Sequence, residues 1–212
     1  MDEHLLRFKK DKTFVFFDAE TFNLCLNFCH NLPWQMAMLK VVGDKKIDEK
    51  NFYVKWNTDL KISEEAARIT RYSQKTIDKL GVAPEDCFPT IEDWLEKADY
   101  IVGHNVLGFD IYLIKELYKY MGKDASHLYD KFLDTNALAK GIKMSIPFKS
   151  GDSIMEYQYR TNEKRQKGLK TNLQFLGKEF NIPHDYENLH DAIVDLELNL
   201  KVWNKLKYMI EI

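Results

Sequence analysis

The stretch TFVFFDAETFNL, Thr13 to Leu24, begins as a buried strand and meets Asp18 and Glu20 with no turn residue between. Side chains alternate faces in an extended chain, so the two carboxylates point the same way, about 6.6 Å apart along the strand, while Ala19 points to the other face. Two like charges that close raise each other's pKa unless a cation or donor offsets them, and no Lys or Arg lies in the next several residues. The local sequence therefore asks for an external positive charge.

The 212 residues, 45% of them hydrophobic, suffice for one sizeable core, and a single domain over 1–212 is expected. Lys plus Arg number 31 against 33 for Asp plus Glu, a formal net charge of −2, so no global basic field marks a polyanion binder and any such binding must be local. Cys25, Cys29 and Cys87 cannot all pair, which suits a reducing compartment. The run from Cys25 to His30 has a Cys-x3-Cys-His order but no second ligand pair at suitable spacing, so these thiols read as small apolar residues rather than zinc ligands. The N-terminal MDEHLLRFKK is charged, and no run approaches the ~18 apolar residues of a membrane span. A soluble, cytoplasmic protein with no membrane partner is expected.

Strands are predicted over Thr13–Phe17, Trp34–Val42 and Lys46–Trp56, the last two joined as a hairpin through the turn Gly43–Lys46. Ser63 to Leu80 reads as two short helices, the second stopped by Gly81, and Thr90–Lys97 as a third with Thr90 as its N-cap. DYIVGHN is a short buried strand running into a loop, and FDIYLIKELYKYMG a helix closed by Gly122. This alternation favours an α/β layered fold.

Between Lys140 and Lys170 the character changes. Ile142, Met144, Ile146 and Phe148 alternate with polar residues or Pro147, KSGDS supplies a turn, and Met155, Tyr157, Tyr159 and Thr161 alternate again, which predicts a β-hairpin insertion at about 140–170. The following RTNEKRQKGLK reads as a polar, mobile connection. Thr171–Phe180 is predicted helical, and a long helix runs from about Asp191 to Leu206. Neither an internal repeat nor a low-complexity tract interrupts the chain.

Two more carboxylates sit where apolar residues are expected. Asp110 shares a helical stripe with Ile114, Leu117 and Met121, and Asp195 borders one that contains Ala192, Val202 and Leu206. A buried unpaired carboxylate costs several kcal/mol, so each needs an Arg, a helix N-terminus or a metal. Together with Asp18 and Glu20, four carboxylates from three elements can line one pocket, and oxygen-rich acidic pockets suit Mg²⁺ or Mn²⁺.

DAET at Asp18–Thr21, HNVLGFD at His104–Asp110 and HDAIVD at His190–Asp195 resemble, in order and chemistry, the three motifs of the DEDDh (DnaQ-like) 3′-to-5′ exonucleases. That family includes the proofreading subunit of bacterial replicative polymerase and the Trex and RNase T enzymes. The resemblance runs from about Thr13 to Leu206. His190 precedes Asp195 with four residues between, the histidine-type spacing; the tyrosine-type subclass would have Tyr where Asp191 stands. Many relatives have two residues between HN and FD, whereas this chain, like Trex enzymes, has three: Val106, Leu107 and Gly108. Asp134 in LDTNALAK resembles a recurring family Asp-Thr and reads as a structural helix start, not a ligand.

The resemblance implies an RNase H-like fold, a central mixed sheet flanked by helices, and two-metal hydrolysis of terminal phosphodiesters to nucleoside 5′-monophosphates. Asp18 would bridge both Mg²⁺ or Mn²⁺ ions, Glu20 and Asp195 would complete the first, Asp110 would hold the second, and His190 would be the general base. Backbone around Ala19 to Thr21 would hold the terminal 3′-hydroxyl, Phe22 or Leu24 would stack on or wedge beside the last base, and Asn105 would orient the scissile nucleotide. The segment Lys140–Lys170 holds eight basic side chains against three acidic, a net +5. Its Lys143, Lys149, Arg160, Tyr157 and Tyr159 combine charge with aromatic platforms, as a single-strand channel does.

Three functions compete: a 3′-to-5′ DNA exonuclease acting on single-stranded 3′ ends, an RNA exonuclease of the same fold, and a non-catalytic nucleic-acid-binding module. The intact Asp18, Glu20, Asp110, His190 and Asp195 argue against the third. DNA is the expected substrate, with proofreading or end trimming as the role and a polymerase or another replication or repair protein as a partner in trans.

Overall fold

The computed structural model describes residues 5–26, 31–149 and 151–212. Its centre is a five-stranded mixed sheet. The strand β1 (Thr13–Thr21) lies in the middle, antiparallel to β2 (Pro33–Val42), which pairs antiparallel with β3 (Lys45–Tyr53). On the other side β1 runs parallel to β4 (Tyr100–Gly103), and β4 parallel to β5 (Phe132–Asp134), giving the order β3-β2-β1-β4-β5. The expected α/β class and mixed sheet are therefore observed. Strand β1 is longer than predicted: it continues through Asp18 and Glu20 to Thr21, because β2 pairs with it along its whole length.

The helices are α1 (Glu64–Thr70), α2 (Gln74–Leu80), α3 (Pro84–Lys97), α4 (Asp110–Tyr120), α5 (Thr135–Lys143), α6 (Ile154–Asn162), α7 (Leu173–Glu179) and α8 (Ala192–Leu206). Alternation along β1 divides the core. Val15 and Phe17 pack with residues of α2, α3 and α4 on one face. Phe14 and Phe16 pack with Leu138, Leu176, Leu196 and Trp203 of α5, α7 and α8 on the other. Asp18 and Glu20 continue the second row toward the end of the strand, so the same alternation that buries Phe14 and Phe16 aims the carboxylates at the α8 side.

Both sheet edges are blunted. Charged β3, KKIDEKNFY, is largely exposed and resists further strand pairing. At the other edge the Gln158 side-chain amide donates to the Phe132 carbonyl (3.0 Å) and accepts the Asp134 N–H (2.5 Å), standing in for a neighbouring strand.

Two local expectations fail. Helix α3 begins at Pro84, not at Thr90, with Ala83 as its N-cap residue. Pro84 fits the first helical position, where its missing N–H is no loss, and Pro89 is tolerated inside the helix because it faces solvent, where water can satisfy the carbonyl it leaves unpaired. The hairpin insertion at 140–170 is also absent. Helix α5 runs on to Lys143, and α6 replaces the second strand, started by a capping box in which Ser153 and Glu156 exchange side-chain to backbone hydrogen bonds. Its buried residues, Tyr157, Gln158 and Thr161, follow helical spacing. Gly141 leaves room for the Tyr157 hydroxyl, which donates to the Ile146 carbonyl (2.9 Å). Among the described residues no helix is long and apolar enough to cross a membrane.

Candidate active site

Four elements converge at the carboxyl end of β1. On that strand Asp18 lies opposite Ala37 and Glu20 opposite Gln35 of β2. Asp110 is the first residue of α4 and is buried, 4% exposed. Asp195 lies in the first turn of α8, a helix that packs against β1. His190, two residues before α8, has a left-handed backbone (φ 70°) and donates its N–H to Asp195 Oδ2 (3.2 Å). Glu20, His190 and Asp195 each offer a ligand atom within 4.8 Å of the others. The sequence-predicted Asp18, Glu20, Asp110, His190 and Asp195 thus share one site.

Electrostatics explain why acids are there. Burial pushes the Asp18 carboxyl well above the usual range, and the charges of Asp110, Asp195, Glu20 and Asp191 add to it. Glu20 is raised to about 9, by burial first and then by Asp195, Asp110 and Asp191. Asp110 rises to about 8 through burial, with N–H groups of Asp110 and Ala19 and the Asp134 charge as smaller, partly opposing influences. Asp195 rises to about 7, again mainly by burial, against the pull of the His190 N–H. Among the described residues no Lys or Arg forms an ion pair with any of the four. Hard oxygen donors that repel one another and lack a protein cation fit a divalent metal ion, which would relieve both burial and repulsion.

A second buried carboxylate group builds the frame. Asp134, fully buried, caps α5 through the N–H groups of Asn136 and Ala137, and reaches across to the N–H groups of Asn105 (2.8 Å) and Leu107 (3.3 Å). It is the structural helix start expected from the sequence. By holding the loop between β4 and α4, it sets where Asp110 begins its helix. Next to it, Thr135 Oγ1 donates to Asn199 Oδ1 (2.7 Å) and lies 3.2 Å from the Gly103 carbonyl and 3.0 Å from His104 Nδ1. Burial lowers His104 to about 4, so this ring is neutral near pH 7.

The predicted substrate contacts divide. Leu24 is exposed, at 45%, as a wedge needs to be, whereas Phe22 is buried against Tyr72 in the core. Ala19 and Thr21 lie on β1 beside the acids, with the Thr21 hydroxyl donating to the Asn23 carbonyl (2.5 Å). Asn105 is exposed with φ 65°, in the loop that leads to Asp110. Tyr157 is wholly buried and cannot stack on a base, while Tyr159 is exposed. Arg160 is held by both carboxylate oxygens of Asp152, and Lys143 by Glu179 (2.6 Å) and the Lys170 carbonyl (2.8 Å). Lys149, Lys164, Arg165 and Lys167 are exposed without ion-pair partners among the described residues, so the free charge of the segment lies mostly in the loop after α6. Cys29 and His30 of the rejected zinc pattern lie outside the described residues; Cys25 is exposed and Cys87 buried.

Sequence reasoning missed three participants. Asp191 caps α8 through the Ile193 N–H (3.1 Å), accepts from Gln35 Nε2 (3.2 Å) and adds a fifth negative charge to the site. Its place at the start of a helical pattern masked its electrostatic part. Gln35, buried in β2, has no signal in the sequence. Arg71 donates to Asn188 Oδ1 (2.7 Å) and the Glu187 carbonyl beside His190, and no spacing links residues so far apart.

Comparison with known proteins bears on the fold and the family. No curated protein matches the sequence. Among solved structures, E. coli exonuclease I in complex with a dT13 oligonucleotide aligns at 20% identity and a TM-score of 0.71, covering 93% of this chain and 41% of that one. Its complex with a dA16 oligonucleotide (19%, TM-score 0.73, 93% and 41%) and its zinc-bound complex with single-stranded DNA (19%, 0.73, 93% and 41%) align equally well. The shared fold is clear, and this chain spans about two-fifths of the length of that protein. A family model, the RNase T exonuclease family, matches residues 15–203, a span that contains all five converging residues, and the chain belongs to that exonuclease family.

Proposed function

We propose that this chain is a single exonuclease domain that removes nucleotides from single-stranded DNA 3′ ends, releasing nucleoside 5′-monophosphates in proofreading or end trimming. The observation that carries the proposal is the convergence of Asp18, Glu20, Asp110 and Asp195, buried and mutually repelling, around His190, with no cation among the described residues paired to them. The four acids would hold two Mg²⁺ or Mn²⁺ ions, Asp18 serving both, and such ions supply a clamp on the attacking and leaving oxygens of an in-line displacement.

The residues of the chain do the remainder. Burial and the Arg71 charge lower the His190 pKa, so the imidazole is neutral at pH 7 and a ring nitrogen can accept the proton of the attacking water. Asp134 fixes the Asn105 backbone in the loop that leads to Asp110, and the exposed Asn105 side chain would orient the terminal nucleotide. Leu24, exposed two residues beyond the buried Phe22, would wedge against the last base, and its exposure supports that role. The phosphate backbone would meet Lys149, Lys164, Arg165 and Lys167.

DNA is favoured over RNA because exonuclease I, whose fold this chain shares, is known in complex with dT13 and dA16 oligonucleotides. A polymerase or repair protein acting in trans and a reducing, cytoplasmic setting suit the buried thiol of Cys87 and the proposed role. The test is degradation of 3′-labelled and 5′-labelled single strands of DNA and RNA with Mg²⁺ or Mn²⁺. Immediate loss of the 3′ label as mononucleotide, faster on DNA, supports the reading. Mononucleotide release from the 5′ end, or no release from either, overturns it.

A further inference from the structure

We propose that Arg71 is a positioning residue for the reaction, a clamp that fixes the segment Glu187–His190 and thereby holds the His190 ring at Glu20 and Asp195; this rests on the reading of His190 as the general base. Arg71 ends α1 in a left-handed conformation (φ 56°), where glycine is the residue without steric cost. Its backbone is fixed from both sides. The Arg71 N–H closes α1 on the Ala67 carbonyl, and Ser73, two residues on, caps α2.

From this rigid corner the guanidinium reaches a segment 116 residues away, donating from Nη1 to Asn188 Oδ1 (2.7 Å) and from Nη2 to the Glu187 carbonyl. That fork suits two acceptors at fixed separation, which Arg provides and Lys does not. The gripped segment ends at His190, which also has a left-handed backbone and whose N–H is tied to Asp195. Arg71, which makes the bridge, and His190, where the gripped segment ends, are thus both held in a conformation that side chains disfavour, as occurs where geometry serves function. The clamp is also a wall. Cavities of about 330 and 580 Å³ border it, and among the described residues Arg71 and His190 are the only ones that line both. Asp195 borders the larger, Asp191 the smaller. Without the guanidinium the His190 segment has room to swing away from Asp195.

Arg71→Gly separates this role from a structural one, because glycine relieves the left-handed strain while removing the fork. The thermal midpoint should hold or rise, while kcat on a single-stranded 3′ end falls about 10- to 100-fold with KM little changed. Exchange of the His190 amide should quicken, Arg71→Lys should recover part of kcat, and Arg71→Gly should cost nothing further in a His190→Ala background. Unchanged kcat, or an equal loss in both backgrounds with raised KM and a flatter salt dependence, overturns the clamp; the second result would mean that the guanidinium meets a substrate phosphate. Wild-type kcat in His190→Ala would instead overturn the reading of His190. Amide exchange then still decides the clamp, which unchanged exchange refutes.

Discussion

The backbone N–H of His190 donates to Asp195 Oδ2 at 3.2 Å, so the residue proposed as general base is tied to a residue proposed as metal ligand through its main chain and not its ring. The ring stays available for chemistry. His190→Ala keeps this bond, because every residue but proline supplies the N–H. Activity should fall by about 10²- to 10⁴-fold with metal affinity nearly intact, as for a lost general base. Calorimetry that shows metal binding abolished in His190→Ala would make the ring a ligand instead.

The raised carboxyl pKa values fix how stability of the metal-free protein varies with pH. The native state holds protons on Asp195, Asp110 and Glu20 up to about 7, 8 and 9, whereas the unfolded chain releases them in the ordinary carboxylate range. Between those limits the native state binds more protons than the unfolded one, so stability falls as pH rises from about 5 toward 9. With EDTA the thermal midpoint should drop across that window. Mg²⁺ or Mn²⁺ should raise it most at the alkaline end, and a midpoint that climbs with pH in EDTA would contradict the electrostatics.

Removal of the Asp134 carboxylate should act on both fold and site. Asp134→Ala leaves four N–H groups short of an acceptor, two at the start of α5 and two in the loop that leads to Asp110. A loss of roughly 2–4 kcal/mol is expected from denaturant unfolding. At temperatures where the variant is folded, activity should fall with it, since Asp110 is no longer held in register. A variant with wild-type stability would show that water replaces the carboxylate at no cost.

Much of this site was legible because its chemistry is local. Asp18 and Glu20 sit on one face of one strand, and the oddity of Asp110 and Asp195 shows in the spacing of apolar residues along single helices. Asp134 was legible as a helix start, but its reach to Asn105 and Leu107, 29 and 27 residues away, was not. Arg71 and Gln35 act across still longer separations, which no periodicity records. Helix α6 was misread for a different reason. Met155, Tyr157, Tyr159 and Thr161 fit a period of two, yet Tyr159 is exposed while Gln158 is buried, so polarity and burial part company. The Ser153-x-x-Glu156 capping box was the stronger signal, because it states a mechanism where alternation states only a pattern.

The basic loop after α6 offers a further check. Lys143 and Arg160 are engaged within the chain, whereas Lys164, Arg165 and Lys167 are exposed. Neutralising the three exposed residues together should weaken binding of a long single strand and reduce the slope of affinity against salt by about 2 in a log–log plot. Cleavage of a mononucleotide ester should be unchanged. Equal loss on both substrates would show that the loop supports the site without meeting the strand.

In the proposed mechanism the four buried acids bind two divalent ions, with Asp18 shared between them. Manganese titration followed by electron paramagnetic resonance, at pH 8 with a nucleoside 5′-monophosphate present, tests it most directly. The wild-type chain should take up two Mn²⁺ and Asp18→Ala no more than one, while remaining folded and inactive. Two ions bound by Asp18→Ala with wild-type affinity, or none by the wild-type chain, would rule out a shared two-ion site at Asp18.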